Sequence, residues 1–197
     1  QMHIISWSTE VIFARAQDMQ PQYDWIENDL QNANKNRAAR PWIVAIGHRP
    51  IYCSNVDDDC ITKGSAGEHV QQYIEQLFYK YGVDILIWAH EHSYERTWPV
   101  FNFNVTQKDY VNPMAPIHLI TGAGGCNEDN GLCVNPIRHS KGDWSAFRTE
   151  GPFHPYSYGF LFAYNRTHAY WNQINSQLDK VYDEIMIVQD THAPFPH

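Results

Sequence analysis

VDILIWAHEHSYERTW, residues 83–98, joins an apolar run directly to a pair of histidines. The run is short, rich in residues that favour β-strands and bounded by polar positions, which predicts a buried strand. Side chains two residues apart in an extended chain point the same way, so we expect His90 and His92 to project together, with Glu91 turned aside. Such a pair favours a shared cation or anion, although two surface histidines without a ligand are the alternative.

A second stretch has the same design. Residues 41–48 read PWIVAIGH, an apolar run that ends in a small residue and then His48. Open α/β sheets place their ligands outside the carboxyl ends of the strands. Two strands that each deliver histidine at that end therefore predict one shared site.

The spacing of apolar residues predicts the elements around these strands. Amphipathic helices are expected at residues 23–33 and 68–81, each between two strands, and such βαβ units pair their strands in parallel. Alternating, aromatic segments near the end predict three antiparallel strands. The glycine-rich turn at 122–125 matches no phosphate-binding motif, and we interpret it as a place where backbone approaches the site closely. The predicted strands are 2–7, 41–48, 85–89, 117–121, 158–164, 168–174 and 181–188.

Composition limits the classes of function. A chain of 197 residues predicts one domain, and a net charge of −8 without a Lys/Arg cluster argues against a nucleic-acid partner. No apolar run approaches the roughly 18 residues that a transmembrane helix needs. Residues 1–5 lack the features of a signal peptide and already have the character of a strand. We therefore expect a fragment or a processed chain that is entered in mid-fold.

The four cysteines form two close pairs, Cys53 with Cys60 and Cys126 with Cys133. Their spacing does not match a structural zinc site, so two local disulfides in an oxidising compartment are predicted. Two glycosylation sequons begin at Asn104 and Asn165. Together these features predict a secreted or extracellular glycoprotein.

Four motifs together resemble the C-terminal part of purple acid phosphatases, in the animal, plant-like high-molecular-weight form. They are GHRPIYCS around His48, WAHEHSYERTWP around His90 and His92, HLITGAGGC around Gly122, and VYDEIMIVQD near the end. The resemblance covers essentially the whole chain. It implies an α/β (α+β) fold, the C-terminal half of the four-layer αββα sandwich with a mixed sheet that calcineurin-like metallophosphoesterases share.

The resemblance also implies hydrolysis of phosphate monoesters by a dinuclear metal centre of Fe(III) with Zn, Mn or Fe(II). By this resemblance His48 and His90 bind the divalent ion and His92 the ferric ion. Arg49 is a candidate for phosphate contact or for a structural ion pair. The side chains expected to surround the ligands, or else to be ordinary polar residues at the surface or core edge, are Glu91, Tyr94, Glu95 and Arg96.

Three departures from the family pattern qualify this picture. Ala89 replaces the usual glycine before the first histidine of the pair, which is a small change. The loop after His48 lacks the histidines that serve many plant relatives as proton donors, which leaves His69 as a candidate. The chain carries three of the seven ligands that the resemblance implies, because the motifs of the family's N-terminal half are absent.

Imidazoles without carboxylates do not balance two such cations, so we expect this chain alone to be inactive, with no dinuclear centre of its own. One hypothesis is that residues 1–197 are a single domain forming the C-terminal half of a phosphatase, whose N-terminal half is a separate chain or was removed. The alternative is a secreted structural glycoprotein that retains an inactive phosphatase-like fold and assembles with other chains.

Overall fold

The computed structural model describes residues 1–54, 60, 64–125, 142–149 and 156–196. Within them lie helices α1 (Val11–Ala14), α2 (Met19–Lys35), α3 (Ala66–Val70) and α4 (Gln76–Lys80), a 3-10 turn (Ala16–Asp18) and a π-helical turn (Gln71–Glu75). The strands of the described residues are β1 (Met2–Ser6), β2 (Trp42–Ile46), β3 (Ile85–Trp88), β4 (Tyr94–Thr97), β5 (Val100–Phe101), β6 (Asn104–Val105), β7 (Ile117–Thr121), β8 (Ser145–Arg148), β9 (Ser157–Ala163), β10 (His168–Asn175) and β11 (Lys180–Val188).

A mixed sheet forms the centre of the fold, in the strand order β1-β2-β3-β7-β4-β8. The first four strands of that order run parallel, and β4 runs antiparallel to both of its neighbours. This arrangement confirms the predicted parallel βαβ units and the mixed sheet. It also brings the carboxyl ends of β1, β2, β3 and β7 to one edge.

Both faces of the central strands β2, β3 and β7 are largely buried, which explains why these strands have no alternating pattern. Ile43 of β2 packs in one hydrophobic cluster with Leu30 of α2. The neighbouring Val44 points to the opposite face and packs in another cluster with Trp171 of β10. Burial of each such side chain contributes about 1.5–3 kcal/mol to folding. The described layers are therefore helices, mixed sheet and second sheet.

The helical segment between β2 and β3 starts two residues earlier than predicted, at Ala66. Ser65 caps it, because its Oγ accepts a hydrogen bond from the backbone N–H of Glu68 at 3.2 Å. The segment continues through the π-helical turn and ends at Lys80. Gly82 then turns the chain with φ of +62°, a conformation that favours glycine.

The second sheet contains β9, β10 and β11 in the predicted antiparallel pairing. Its inner face meets the mixed sheet through Trp171. Gly159 is required opposite that indole, since a Cβ there would lie 2.1 Å from Trp171 Cζ2. The outer face exposes aromatic side chains such as Phe160 and Phe162.

A buried ion pair joins the mixed sheet to the second sheet. Asp183 of β11 accepts hydrogen bonds from Arg96 Nε and Nη2, each at 2.8 Å, and from the Tyr94 hydroxyl at 2.6 Å. Both donors lie on β4 of the mixed sheet, and all three side chains are buried. The pairing holds because the two charges neutralise each other where water is excluded.

The C-terminal tail lies along the amino end of the mixed sheet. His192 Nδ1 lies 3.2 Å from Asp84 Oδ1, and the other oxygen of that carboxylate accepts a hydrogen bond from Arg37 Nη1 at 2.8 Å. Phe195 is buried against Tyr79. Among the described residues, no helix is both long enough and apolar enough to cross a bilayer.

His118 of β7 lies wholly inside the core. Its Nδ1 accepts a hydrogen bond from Trp88 Nε1 at 3.1 Å, so the neutral ring carries its proton on Nε2. Burial disfavours the charged form and lowers the pKa of His118 to about 3. In the unfolded chain this side chain takes up a proton near pH 6.5, and in the folded chain it does not.

His118→Asn is therefore expected to reduce the loss of stability in acid. As the pH falls from 7 to 5, protonation of His118 in the unfolded state alone costs the folded protein about 2 kcal/mol, and Asn removes this cost while keeping an acceptor for Trp88. Urea unfolding of both proteins at the two pH values measures the difference. Equal losses in both would contradict a neutral, buried His118.

Candidate metal centre

Two histidines meet at the carboxyl edge of the mixed sheet. Backbone hydrogen bonds continue the pairing of β2 and β3 beyond the strands, from Gly47 N to Ile87 O and from Ala89 N to His48 O, each at 3.0 Å. They place His48 Nε2 3.0 Å from His90 Nδ1. The two strands thus deliver their imidazoles to one point.

The backbone around His90 and His92 differs from the extended conformation that the sequence predicted. β3 ends at Trp88, and residues 90–93 form bends, so alternation along a strand does not orient these two side chains. The bends pass directly over Gly122, where a Cβ would lie 2.2 Å from the carbonyl oxygens of both Ala89 and Glu91. The predicted close approach of backbone at the glycine-rich turn is therefore confirmed at its first glycine.

The charged side chain of Arg49 contacts His90. Arg49 Nη1 lies 3.2 Å from His90 Nε2, and because guanidinium only donates, that nitrogen accepts. The neutral His90 then carries its proton on Nδ1 and donates it to His48. Arg49 is fixed in turn by an ion pair from Nε to Glu10 Oε1 at 2.9 Å and by a hydrogen bond from its backbone N–H to Thr9 Oγ1 at 3.1 Å.

The electrostatic environment of His48 favours its neutral form, which is the form that can bind a metal. Partial burial, followed by the influence of His90, lowers the pKa of His48, so its nitrogen is available as a ligand at neutral pH. Burial would raise the pKa of Glu10, but its hydrogen bonds with Arg49 and Thr9 and the nearby charges of Arg49 and His48 together outweigh this and lower it. His92 lies within electrostatic range of His48 and also contributes to lowering that pKa.

The geometry of His48 and His90 fits coordination of one ion. At Zn–N distances of 2.0–2.1 Å, two nitrogens of a tetrahedral site lie about 3.3 Å apart. The observed 3.0 Å is close to this value. His92 does not complete a compact trio with them, because the described residues contain only one set of three ligand atoms within 4.8 Å of one another, at Cys53, Cys60 and Glu91.

That other trio is not a metal site, since its sulfurs bond to each other. Cys53 and Cys60 form the predicted disulfide, and Glu91 is buried beside it. The predicted pair Cys126 and Cys133 lies outside the described residues.

The other candidate side chains, Tyr94, Glu95 and Arg96, make their described hydrogen bonds with residues other than the histidines of the site. Glu95 is buried and accepts hydrogen bonds from the backbone N–H and the hydroxyl of Ser54, each at 2.7 Å, which ties the cysteine loop to β4. Burial raises the pKa of Glu95. The described hydrogen bonds of the Tyr94 and Arg96 side chains run to Asp183 and Trp171 in the second sheet and to Tyr110. A role for these residues around the ligands remains a prediction.

Thr9 and Glu10 contact Arg49 and so belong to the site, although no sequence motif marks them. Their position in the sequence, directly after a strand, could have identified them. They follow β1, a parallel strand of the same sheet, and the argument that placed His48 and His90 at the carboxyl edge applies equally to them.

Family models match most of the chain. Residues 3–94 match the calcineurin-like phosphoesterase model, and residues 115–184 match the iron/zinc purple acid phosphatase-like protein C model. The first range contains the histidines of the site, and the second contains β7, β9, β10 and the first part of β11.

Comparison with individual proteins points to the same family as the family models. The chain is 45% identical to human acid phosphatase type 7 across 95% of its own length and 44% of that protein. It is 35% identical to the Fe(3+)-Zn(2+) purple acid phosphatase 12 of Arabidopsis thaliana, across 78% of this chain and 31% of that protein. A purple acid phosphatase from yellow lupin seeds superposes with a TM-score of 0.74 at 25% identity, over 95% of this chain and 31% of that structure.

The chain spans less than half the length of the acid phosphatases that it matches at more than 40% identity. Within that span the fold of the chain agrees with the superposed lupin structure. The chain belongs to the purple acid phosphatase family of calcineurin-like metallophosphoesterases.

Proposed function

We propose that this chain, combined with an N-terminal half, hydrolyses phosphate monoesters with the help of bound metal ions. The observation that carries the proposal is the 3.0 Å approach of His48 Nε2 to His90 Nδ1 at the carboxyl edge of a parallel sheet. Ligands bind at such edges, and nitrogen pairs at this separation suit a single divalent ion. Membership of a phosphatase family points to the same chemistry.

In this proposal His48 and His90 bind the divalent ion, Zn, Mn or Fe(II), and His92 binds Fe(III). The separation of His92 from the other two supports its assignment to a second ion. The name of the Arabidopsis relative, an Fe(3+)-Zn(2+) enzyme, supports iron with zinc. When bound, the two metals supply an activated water and neutralise charge on the phosphoryl group.

The residues of this chain orient the ligands and supplement their charge. Arg49 contacts Nε2 of His90 and holds the ring in place, and Nδ1 must give up its proton to bind a metal. Glu10 and Thr9 hold Arg49 in place. The guanidinium adds positive charge beside the phosphoryl group and helps to bind it.

The partner that we propose is an N-terminal half that supplies the carboxylates lacking here. β1 lies at the edge of the described mixed sheet, and an edge strand offers backbone groups to a further strand. Another chain of the same protein would meet the same requirement. Two metal ions of this charge need such carboxylates to be held stably.

A secreted or extracellular location is part of the proposal. The disulfide between Cys53 and Cys60 requires an oxidising compartment to persist. Asn104 and Asn165 are both exposed, as acceptors of N-linked glycans must be. Mass measurement of the native protein before and after enzymatic removal of glycans tests the two sequons.

The function is tested on the native protein. We expect two metal ions per particle by elemental analysis, together with hydrolysis of p-nitrophenyl phosphate that a chelator abolishes. The chain of residues 1–197 alone is the control and is expected to be inactive. A native protein that binds no metal and does not hydrolyse the ester would overturn the proposal and favour the structural glycoprotein.

A further inference from the structure

Three aromatic rings lie side by side at one end of the outer face of the second sheet. Phe162 of β9 is opposite Tyr170 of β10, and Tyr164 follows β9 directly. The ring of Tyr164 lies 6.2 Å from that of Phe162 with 12° between their planes, and 6.0 Å from that of Tyr170 with 20°. These three residues are called the aromatic strip below. Clustered aromatic surface of this kind on a soluble domain commonly marks a place where another group binds.

The glycosylation sequon at Asn165 begins directly after the aromatic strip. The backbone N–H of Tyr164 donates to the carbonyl oxygen of His168 at 2.9 Å, so the pairing of β9 with β10 continues up to the sequon. Trp42 Nε1 donates to the carbonyl oxygen of Asn165 at 3.0 Å and ties this turn to the mixed sheet. A glycan on Asn165 therefore starts from a point that both sheets hold in place, next to the exposed ring of Tyr164.

The side-chain amide of Asn165 is held by its oxygen. Oδ1 accepts hydrogen bonds from the backbone N–H groups of Thr167 and His168, each at 2.8 Å, and from the Thr167 hydroxyl at 3.0 Å. Among the residues that the structure describes, none forms a hydrogen bond with Nδ2, the atom to which an N-linked glycan is joined. In the other sequon, by contrast, Asn104 Nδ2 donates to the carbonyl oxygen of Asn102 at 3.0 Å. Asn165 thus presents its nitrogen in a fixed turn.

The chemistry of the strip suits a sugar. The ring of N-acetylglucosamine, the first sugar of an N-linked glycan, presents C–H bonds on its faces and polar groups at its rim. The face of an aromatic ring is electron-rich and attracts such C–H bonds, while the contact removes apolar surface from water. At the margin of the strip Glu184 accepts a hydrogen bond from the Tyr170 hydroxyl, and its exposed carboxylate can also accept from sugar hydroxyls. Apolar faces and a polar rim are thus matched on both sides.

We infer that the glycan of Asn165 folds back over the aromatic strip, with its first N-acetylglucosamine against Tyr164, and stabilises the folded protein. The occupant of this exposed face is thus a modification of the chain itself, attached at the end of the strip. The inference rests on the secretory location proposed above and is independent of the proposed catalysis. Its readout is therefore thermal stability, which does not depend on metal content or on hydrolysis.

The test compares melting temperatures of the native protein from secreting cells with and without its sugars. Asn104→Gln is present throughout, so that Asn165 carries the remaining sequon of this chain. An endoglycosidase trims the glycan to its first N-acetylglucosamine, and an amidase removes it completely, with the same conversion of Asn165 to aspartate in every variant. Tyr164→Thr removes the ring that the sugar contacts, and Tyr164→Phe keeps it. Tyr158→Thr is the matched control, because Tyr158 is an exposed ring on the same face of β9, about 20 Å away.

We expect complete removal of the glycan to lower the melting temperature by about 2–4 °C in the parent, Tyr164→Phe and Tyr158→Thr proteins, and by less than about 1 °C in Tyr164→Thr. Trimming to the first sugar should leave the melting temperature unchanged, since that sugar makes the contact. The inference fails if mass spectrometry finds Asn165 without a glycan. It also fails if removal has no effect on the parent protein, which would leave the strip to a protein partner, or if removal lowers the melting temperature of Tyr164→Thr as much as that of the parent.

Discussion

Asp183→Asn is expected to lower the free energy of unfolding by about 3–5 kcal/mol, the cost of removing one partner of a buried ion pair. The carboxylate accepts two hydrogen bonds from Arg96 and one from Tyr94. Asn removes the negative charge and leaves the Arg96 cation uncompensated between the two sheets. Urea unfolding at pH 7, followed by circular dichroism, measures the loss.

Glu184→Gln, at the next position, is the matched control. Glu184 lies on the exposed face of β11 and accepts a hydrogen bond from Tyr170, so its replacement should leave stability nearly unchanged. The double variant Arg96→Met with Asp183→Leu is expected to recover most of the loss, since an apolar pair leaves no buried charge. Equal effects of Asp183→Asn and Glu184→Gln would show that the ion pair does not join the sheets.

His90→Ala is expected to lower kcat/KM for p-nitrophenyl phosphate by at least about 100-fold in the native protein and to reduce the metal content. Replacing residues that merely support metal ligands costs 10–100-fold, so loss of a ligand should cost no less. His90 also contacts both Arg49 and His48. Its removal leaves His48 as the one imidazole of this pair that can bind the divalent ion. Kinetics at saturating metal, with elemental analysis of the same samples, measure both effects.

The matched control is His168→Ala. His168 begins β10 of the second sheet, and its ring contacts the Thr167 hydroxyl at 2.8 Å, so metal content and rate should stay at the wild-type level. Unchanged activity in His90→Ala, with both metals retained, would remove His90 from the centre. Loss of rate in both variants would point to a defect of folding instead.

Local rules were sufficient for most of the secondary structure. The period of 3.6 residues located α2 and the helical segment before β3, and alternation located the three strands of the second sheet. Boundaries were less accurate, because caps set them. Ser65 extended the second helical segment to Ala66, and α2 runs from Met19 to Lys35, past the predicted ends at both termini.

The candidate site was predictable only in part. The positions of His48 and His90 follow from two parallel strands that end together, a property of the sheet that sequence order reveals. The bends at residues 90–93 were not predictable, because they form where the chain crosses Gly122, the residue after β7. Thr9 and Glu10 were missed, since no motif marks them and the argument from strand ends was not applied to β1.

By itself, the sequence determined the strands and helices, the parallel βαβ units and the two histidines that follow β2 and β3. These features depend on the order of the residues and on the periodicity of apolar side chains, both of which are properties of a few neighbouring positions. Only the tertiary structure decided that Asp183 pairs with Arg96 and that Arg49 contacts His90. Each of these joins residues distant along the chain, and their meeting depends on how whole layers pack, a choice that no local pattern encodes.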